Sequence, residues 1–327
     1  MKMKYVFHID EVIRMINNGA ILALAGSESL LSKLPKGKWV GGTTPYFMGD
    51  DGGVHTNELI FVNDLSDHTV DFLIKSYSDH TISAIADDEF TNGYTLLIIP
   101  AFSTLHTSFA ENAPQYKDIF NNPLFGWISG IDQKEISVVT PKVFNGMTGE
   151  VSDSMAVALH VKLEDGKTAH LDILNPFVKG SGDRISFPKT GFKVKDAIIN
   201  GESKNFADYL IENSIDIKLP LVADYYGAMI NIGFQNIDYE NKEVNVYAPV
   251  FKNIEYAMAA PVTNYIAVFE ASLKEKNIHP VFSCNCLLNY IYAELEGKKT
   301  GNIKGPITFG EIAYQLLNRT LVYLTIE

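Results

Sequence analysis

The residues best equipped for chemistry lie close together near the end of the chain. Cys284 and Cys286 stand one residue apart in the string VFSCNCLLNYIY, with Asn285 between them and His279 a few positions earlier. Two thiolates and an imidazole could ligate a soft metal, and a cysteine beside a histidine could act as an activated nucleophile. The spacing argues against both. A closed zinc site needs a further ligand pair at its own spacing, and no G-x-S-x-G elbow or cysteine-hydrolase string is present. No catalytic or metal-ligating residue is assigned; a cysteine of this kind packs as a small hydrophobe or lines a pocket. Thr308, Gly310 and Glu311 follow in PITFGEIA. Glu311 lies between a glycine and apolar positions, where burial raises a carboxyl pKa unless a donor pairs with it. It is expected either to anchor the ammonium group of a ligand or to accept hydrogen bonds from the loop before it.

A second constellation is the glycine-rich stretch 37–53, GKWVGGTTPYFMGDDGG, read as a loop between strands. Thr43, Thr44, Tyr46, Asp50 and Asp51 set hydroxyls and carboxylates among glycines, as a structural turn, a pocket lid or a partner contact would require. It lacks the phosphate-loop string and falls short of a calcium loop. The eight histidines (His8, His55, His68, His80, His106, His160, His170 and His279) are scattered, and no local feature selects one as a ligand.

The elements that must position these groups can be read from periodicity. ILALAG, YTLLIIPA and LFGWISG are apolar runs of the kind found in strands covered on both faces. TVDFLIKSY, MAVALHVKL, TAHLDIL and the closing RTLVYLTIE read as further strands, with Asp165-Gly166 as a hairpin turn between MAVALHVKL and TAHLDIL. Helices are expected from Glu11 to Asn18 with Asp10 as cap, from Ser27 or Ser29 to Leu34, across STLHTSFAENAPQYKDIF with a break at Pro114, along FADYLIEN, and from Thr263 to Lys276. The fold class is α+β (mixed α/β), with two β-sheet-centred subdomains and packed helices. The boundary is placed in IDIKLPL, giving 1–214 and 215–327. The two tryptophans form a faint internal echo, Trp39-Val40-Gly41-Gly42 against Trp127-Ile128-Ser129-Gly130.

Composition bounds the partners. The chain has 327 residues, 46% of them apolar, enough for a substantial core. Its net charge of −12 repels nucleic acid and anionic membrane, so neither is expected as a partner. No apolar run approaches the roughly 18 residues of a membrane span, and Asp10, Glu11 and Arg14 interrupt any signal-peptide core. A disulfide across Cys-Asn-Cys would be badly strained. Free thiols without a leader point to the cytoplasm.

From about residue 94 onward the order of motifs resembles the FIST (F-box and intracellular signal transduction) sensory domain. Three strings carry the resemblance. They are VFNG…VSDSMAVALHV with Asp153 in its acidic position, the turn-rich NPFVKGSGDRISFPKTGFKVKDAIINGESKNFADYL, and Phe282-Ser283-Cys284 followed by Gly310-Glu311-Ile312 and Leu317-Asn318-Arg319-Thr320-Leu321. One departure is Leu287, where family members usually carry arginine. The resemblance implies a small-molecule sensor, its ligand an amino acid or related metabolite, acting through a separate signalling partner. The ligand-binding residues assigned are Cys284, Asn285, Cys286, Thr308, Gly310 and Glu311 of the closing stretch, together with Thr43, Thr44, Tyr46 and Asp50 of the 37–53 loop, a region before residue 70 that the resemblance does not match. No cofactor is assigned. A haem-based nitric-oxide sensor of the same fold, with one axial histidine, is an alternative; a cysteine-dependent enzyme is a second.

Overall fold

The computed structural model describes residues 4–225, 228–262, 264–274 and 280–327. Residues 4–64 form a unit comprising β1 (Val6–Phe7), α1 (Ile9–Asn17), β2 (Leu22–Gly26), α2 (Glu28–Leu31), β3 (Trp39–Thr43), β4 (Tyr46–Gly49), β5 (Gly52–His55) and β6 (Ile60–Asp64). Every residue of β2 is buried, so this strand needs cover on both faces and a partner on each edge. The short α2 carries the chain across to β3, which pairs parallel from Leu22↔Trp39 to Gly26↔Thr43. β6 returns antiparallel on the other edge of β2, and β1 adds outside it.

The same order of elements recurs. A second unit contains β7 (Thr69–Tyr77), β8 (Gly93–Pro100), α3 (Thr104–Asn112), β9 (Leu124–Ser129), β10 (Val143–Asn145), β11 (Glu150–Ser152) and β12 (Ala156–Leu163). β13 (Ala169–Leu174) opens a third, which an insert then interrupts. The insert holds β14 (Ile185–Ser186), β15 (Gly191–Val194), β16 (Asp196–Ile199), β17 (Glu202–Asn205), α4 (Phe206–Glu212), β18 (Leu221–Tyr225), β19 (Ala228–Ile232), β20 (Phe234–Asp238), β21 (Glu243–Val250), β22 (Glu255–Met258) and α5 (Tyr265–Lys274). The third unit resumes with β23 (Phe282–Cys286), α6 (Leu287–Tyr292), β24 (Gly305–Thr308), β25 (Gly310–Ala313), β26 (Gln315–Leu317) and β27 (Leu321–Ile326).

Each unit builds one six-stranded mixed sheet, and each lends its hairpin to a neighbour. The orders are β1-β6-β2-β3-β10-β11, β7-β12-β8-β9-β25-β26 and β13-β27-β23-β24-β4-β5. The hairpin β4-β5 leaves the first unit for the third, β25-β26 leaves the third for the second, and β10-β11 leaves the second for the first. Each exchange gives an otherwise open edge its partner and ties the three units into one body. The ends of β3, β9 and β24 meet at the centre of this pseudo-threefold arrangement. Gly130 N donates to Thr43 O (2.7 Å), Phe309 N to Ile128 O (3.2 Å) and Thr44 Oγ1 to Ile307 O (2.7 Å). The approach is close enough to require glycine: a Cβ on Gly42 would lie 2.6 Å from Ile98 Cγ2 and 2.8 Å from Trp127 Nε1. The tryptophan echo therefore falls on equivalent strands, β3 and β9, although the two rings stand two residues out of step relative to the strand ends Thr43 and Ser129.

The insert packs a six-stranded sheet, β17-β16-β14-β22-β18-β19, and a three-stranded one, β15-β21-β20, beside this core. The α+β class read from the sequence is the class observed. The 214/215 division falls between α4 and β18, whose neighbouring strands share one insert sheet, and the pairing of β4 with β24 also spans it. Three local expectations are corrected, the third being the cap of the first helix, which is His8 and not Asp10. The stretch 37–53 is largely strand, contributing β3, β4 and the start of β5. β12 and β13 form no hairpin, because β12 is already held between β7 and β8 while β13 pairs with β27. The first helix is capped by His8, whose backbone N–H donates to Glu11 Oε2 (3.1 Å), and α4 by Asn205. Thr263 and residues 275–276 of the expected helix around α5 lie outside the described residues. No helix among the described residues is long and apolar enough to cross a membrane.

Candidate functional site

A parallel β-α-β unit opens a crevice at the carboxyl ends of its strands, where ligands bind in open α/β sheets. Three such ends converge here, and the third differs from the others. Where β2 ends LALAG and β8 ends LLIIP, β23 reads FSCNC. Ten of the nineteen buried polar or charged side chains among the described residues lie between 283 and 320. Burying a polar group costs free energy unless it is hydrogen-bonded, so this concentration needs either internal partners or a ligand.

Most of these groups partner one another. Asn285 Oδ1 accepts from Cys286 N (2.8 Å) and Asn289 Nδ2 (3.0 Å). Arg319, held at φ +61° in the turn before β27, donates through Nε to Asn289 Oδ1 (3.0 Å) and through Nη1 to Lys218 O (2.8 Å). Its guanidinium lies over Phe177 (4.6 Å) and Tyr292 (4.9 Å), so it grips the insert and α6 together. Glu311 is fully buried in β25, and its Oε2 accepts from Thr320 Oγ1 (2.9 Å). Desolvation pushes its pKa up to about 8 against the opposing pull of the Thr320 bonds, so the carboxyl is mostly protonated at neutral pH. Glu311 Oε1 and Asn285 Nδ2 make no hydrogen bond. Burial likewise drives the Cys284 and Cys286 thiols well above their ordinary range, with the charge of Glu311 as the next cause. Cys284 donates its thiol hydrogen to Gly126 O at 3.2 Å.

A cavity of about 240 Å³ opens above this polar layer. Its floor is Cys286, Thr308 and Asn318, and its core-side wall is His106 of α3 with Phe309. Phe192, Val246 and Tyr247, on β15 and β21 of the insert, close the other side. His106 Nε2 is enclosed without a hydrogen-bond partner, and desolvation lowers the imidazole pKa to about 4, leaving it neutral at pH 7. Asn318 joins floor to insert: its Oδ1 accepts from Gly233 N (3.0 Å) and its Nδ2 faces Cys286 Sγ (3.8 Å). At the rim, Phe102 is held at φ +66° and is 59% exposed, with its ring edge-on to Phe309. A non-glycine residue in that conformation is strained, and such strain concentrates at ligand clamps.

A second, wider crevice of about 450 Å³ lies at the ends of β3 and β9, where Ser27, Ser29, Thr43, Thr44 and Asp132 contribute hydroxyls and a carboxylate. Its threonines are already engaged: Thr43 Oγ1 accepts from Lys142 N (2.9 Å), and Thr44 Oγ1 donates across the centre to Ile307 O.

The residues singled out from sequence therefore separate. Cys286 and Thr308 line the floor of the smaller cavity, with Asn285, Gly310 and Glu311 in the layer around it. Thr43 and Thr44 line the wider crevice; Tyr46 stands beside it, its ring stacked on His55 at 4.5 Å. Asp50 and Asp51 form the β4-β5 turn and line neither space. Asp153 is exposed between β11 and β12, and His279 lies outside the described residues. No group of three or more His, Cys, Asp or Glu among the described residues could hold a metal ion. Sequence reasoning passed over His106, Phe192, Tyr247 and, as a site residue, Asn318. Only the Asn318-Arg319 pair between apolar runs offered a signal.

An α+β protein with a pseudo-threefold core and an insert-walled cavity is the class that these features define. The chain belongs to a family of unknown function, DUF6976, whose model matches residues 7–327. No curated protein matches it.

Proposed function

We propose that this protein is a small-molecule sensor of FIST-like type, with its ligand bound in the cavity that the second and third units form with the insert. The observation that carries this reading is Asn318, which lies in the cavity floor and is hydrogen-bonded across to the insert at Gly233. A ligand that engages the floor touches the group holding the two parts together, so occupancy and insert position are coupled. Sensing then requires only that the ligand bind one arrangement better than another. The occupied state is read by a separate signalling partner. A metabolite of modest size suits the cavity, which lies below the roughly 300–1,000 Å³ usual for drug-sized ligands.

The same volume is too small for a porphyrin, so His106 is not an axial ligand to haem in this reading. The buried, protonated thiols also argue against a cysteine nucleophile, since the thiolate is the reactive form. The test is a thermal-shift screen against a broad metabolite panel, repeated on Leu288→Trp, which fills the cavity. At least one compound should raise the melting temperature of the parent and lose its effect on the variant. A panel without any stabilising compound, or stabilisation identical in both proteins, would end the sensor reading.

A further inference from the structure

We infer that the cavity takes a single aromatic or heteroaromatic ring bearing one negative charge, its ring among Phe192, Phe309 and Tyr247 and its anionic group toward Lys193. The inference rests on the sensor reading and names the chemical class of its ligand.

Size sets the first limit. A cavity of about 150 Å³ suffices for benzene, so about 240 Å³ leaves room for one ring and a substituent of a few heavy atoms. Shape and surface set the second. Phe192 meets His106 edge-on at 6.0 Å, Phe309 meets Phe102 edge-on at 5.9 Å, and Val246 and Leu288 complete an apolar wall. Such a surface favours a flat ring presented to ring faces and edges over a flexible polar chain.

Charge sets the third limit. Although the chain carries a net charge of −12, no aspartate or glutamate lines this cavity, and Lys193 is its one lining lysine or arginine. An ammonium ligand would be desolvated here without a counter-ion, which is costly, whereas an anion meets the lysine. The field of Lys193 also reaches Asp238, farther along the same three-stranded sheet. Polar chemistry supplies the orientation. His106 Nε2, buried and unpartnered, provides one hydrogen-bonding site at the wall; Tyr247 carries a hydroxyl, and Thr308 Oγ1 in the floor, which donates to Gly310 O (3.0 Å), is left as an acceptor. A heteroatom on the ring, or one oxygen of a substituent, satisfies the imidazole nitrogen that the protein leaves without a partner.

The wider crevice is the internal contrast. Its lining includes Glu28, Asp132 and Glu135 and no aromatic ring, so it would select the opposite charge and a different shape.

Benzoate, benzamide and benzylamine hold size nearly constant while the charge runs from −1 through 0 to +1. Dissociation constants are measured for each by ligand-observed NMR titration on the parent, on Lys193→Glu and on Leu288→Trp. Benzoate should bind at least tenfold more tightly than benzylamine to the parent. Lys193→Glu, a change at an exposed position that leaves the core intact, should abolish or reverse that ratio. Leu288→Trp should remove binding of all three. Equal or better binding of benzylamine overturns the inference, as does a ratio that survives Lys193→Glu. If none of the three binds while another metabolite stabilises the parent and not Leu288→Trp, the ligand class is wrong and the sensor reading stands. If nothing binds at all, both are wrong.

Discussion

The turns that lead into the last strand of the second and third units do the same topological job with opposite chemistry. In the second unit, Ser152-Asp153-Ser154-Met155 leads into β12 with Asp153 exposed. In the third, Asn318-Arg319-Thr320 leads into β27 with all three side chains buried, bonded to the insert, to α6 and to Glu311. Three equivalent units serve a packing role equally well with apolar strand ends, as β2 and β8 demonstrate. The difference teaches that two units close with apolar strand ends, while the buried polar residues of the third go with its joint to the insert, α6 and Glu311.

Removing the strongest element of that joint is the most severe way to break the comparison. Arg319→Leu leaves Asn289 Oδ1 without its Nε donor and strips the Nη1 bond from Lys218 O. At about 1.5–3 kcal/mol for each charge-assisted bond, a loss of about 3–5 kcal/mol is expected in chemical denaturation. Asp153→Ala, at the corresponding turn, should change stability by less than about 0.5 kcal/mol. Similar losses at both turns would dissolve the contrast.

Glu311 sharpens it through pH. In the native state its pKa is raised to about 8 from an ordinary 4.5. The native protein therefore holds this proton while the unfolded chain has released it, and stability falls as pH rises through that window, at up to about 1.4 kcal/mol per unit. Glu311→Gln has no proton to lose. Its stability relative to the parent should rise steadily between pH 5 and 8 in denaturant titrations. Because Glu89, pushed up to about 7, adds a slope of its own, the difference between the two proteins is the quantity to follow. A pH-independent difference would place the Glu311 carboxylate in a charged, paired state.

Smaller effects follow from the cysteines and from the first unit. Cys284→Ala removes a buried thiol and its bond to Gly126 O, at a cost of about 1–2 kcal/mol, and should leave ligand binding intact because Cys284 does not line the cavity. Ser27→Ala should cost no more than about 0.5 kcal/mol. Ser27 caps α2 by position only, without accepting a cap hydrogen bond, and its hydroxyl interacts instead with Ser29 and Asn57 O.

Much of this architecture was legible as elements and little of it as pairings. The apolar runs of β2, β8 and β9 declared themselves because strands covered on both faces have no room for polar alternation. The exchange of hairpins left no local trace, since β4 finds β24 across more than half the chain. Asp165-Gly166 has hairpin chemistry, and Gly166 adopts φ +85°, yet the flanking strands belong to different sheets because each has better partners elsewhere. The glycines of 37–53 suggested a loop; at Gly42 the cause is close packing where the three units meet. In the candidate site, Cys286 and Thr308 drew notice for a Cys-x-Cys string and for their place beside Gly310-Glu311, and both line the smaller cavity. His106 stands in an unremarkable helix, and Phe192 and Tyr247 arrive from an insert whose docking no spacing encodes.

Hydrogen exchange with and without the strongest stabiliser from the metabolite panel tests the central claim most directly. Protection is expected at 286–289, at 308–309 and along 233–247 of the insert, with α2 and its caps at 27–32 and the end of β3 at 43–45 unchanged. Protection confined to the first unit, or to one side of the cavity without the insert, would contradict it.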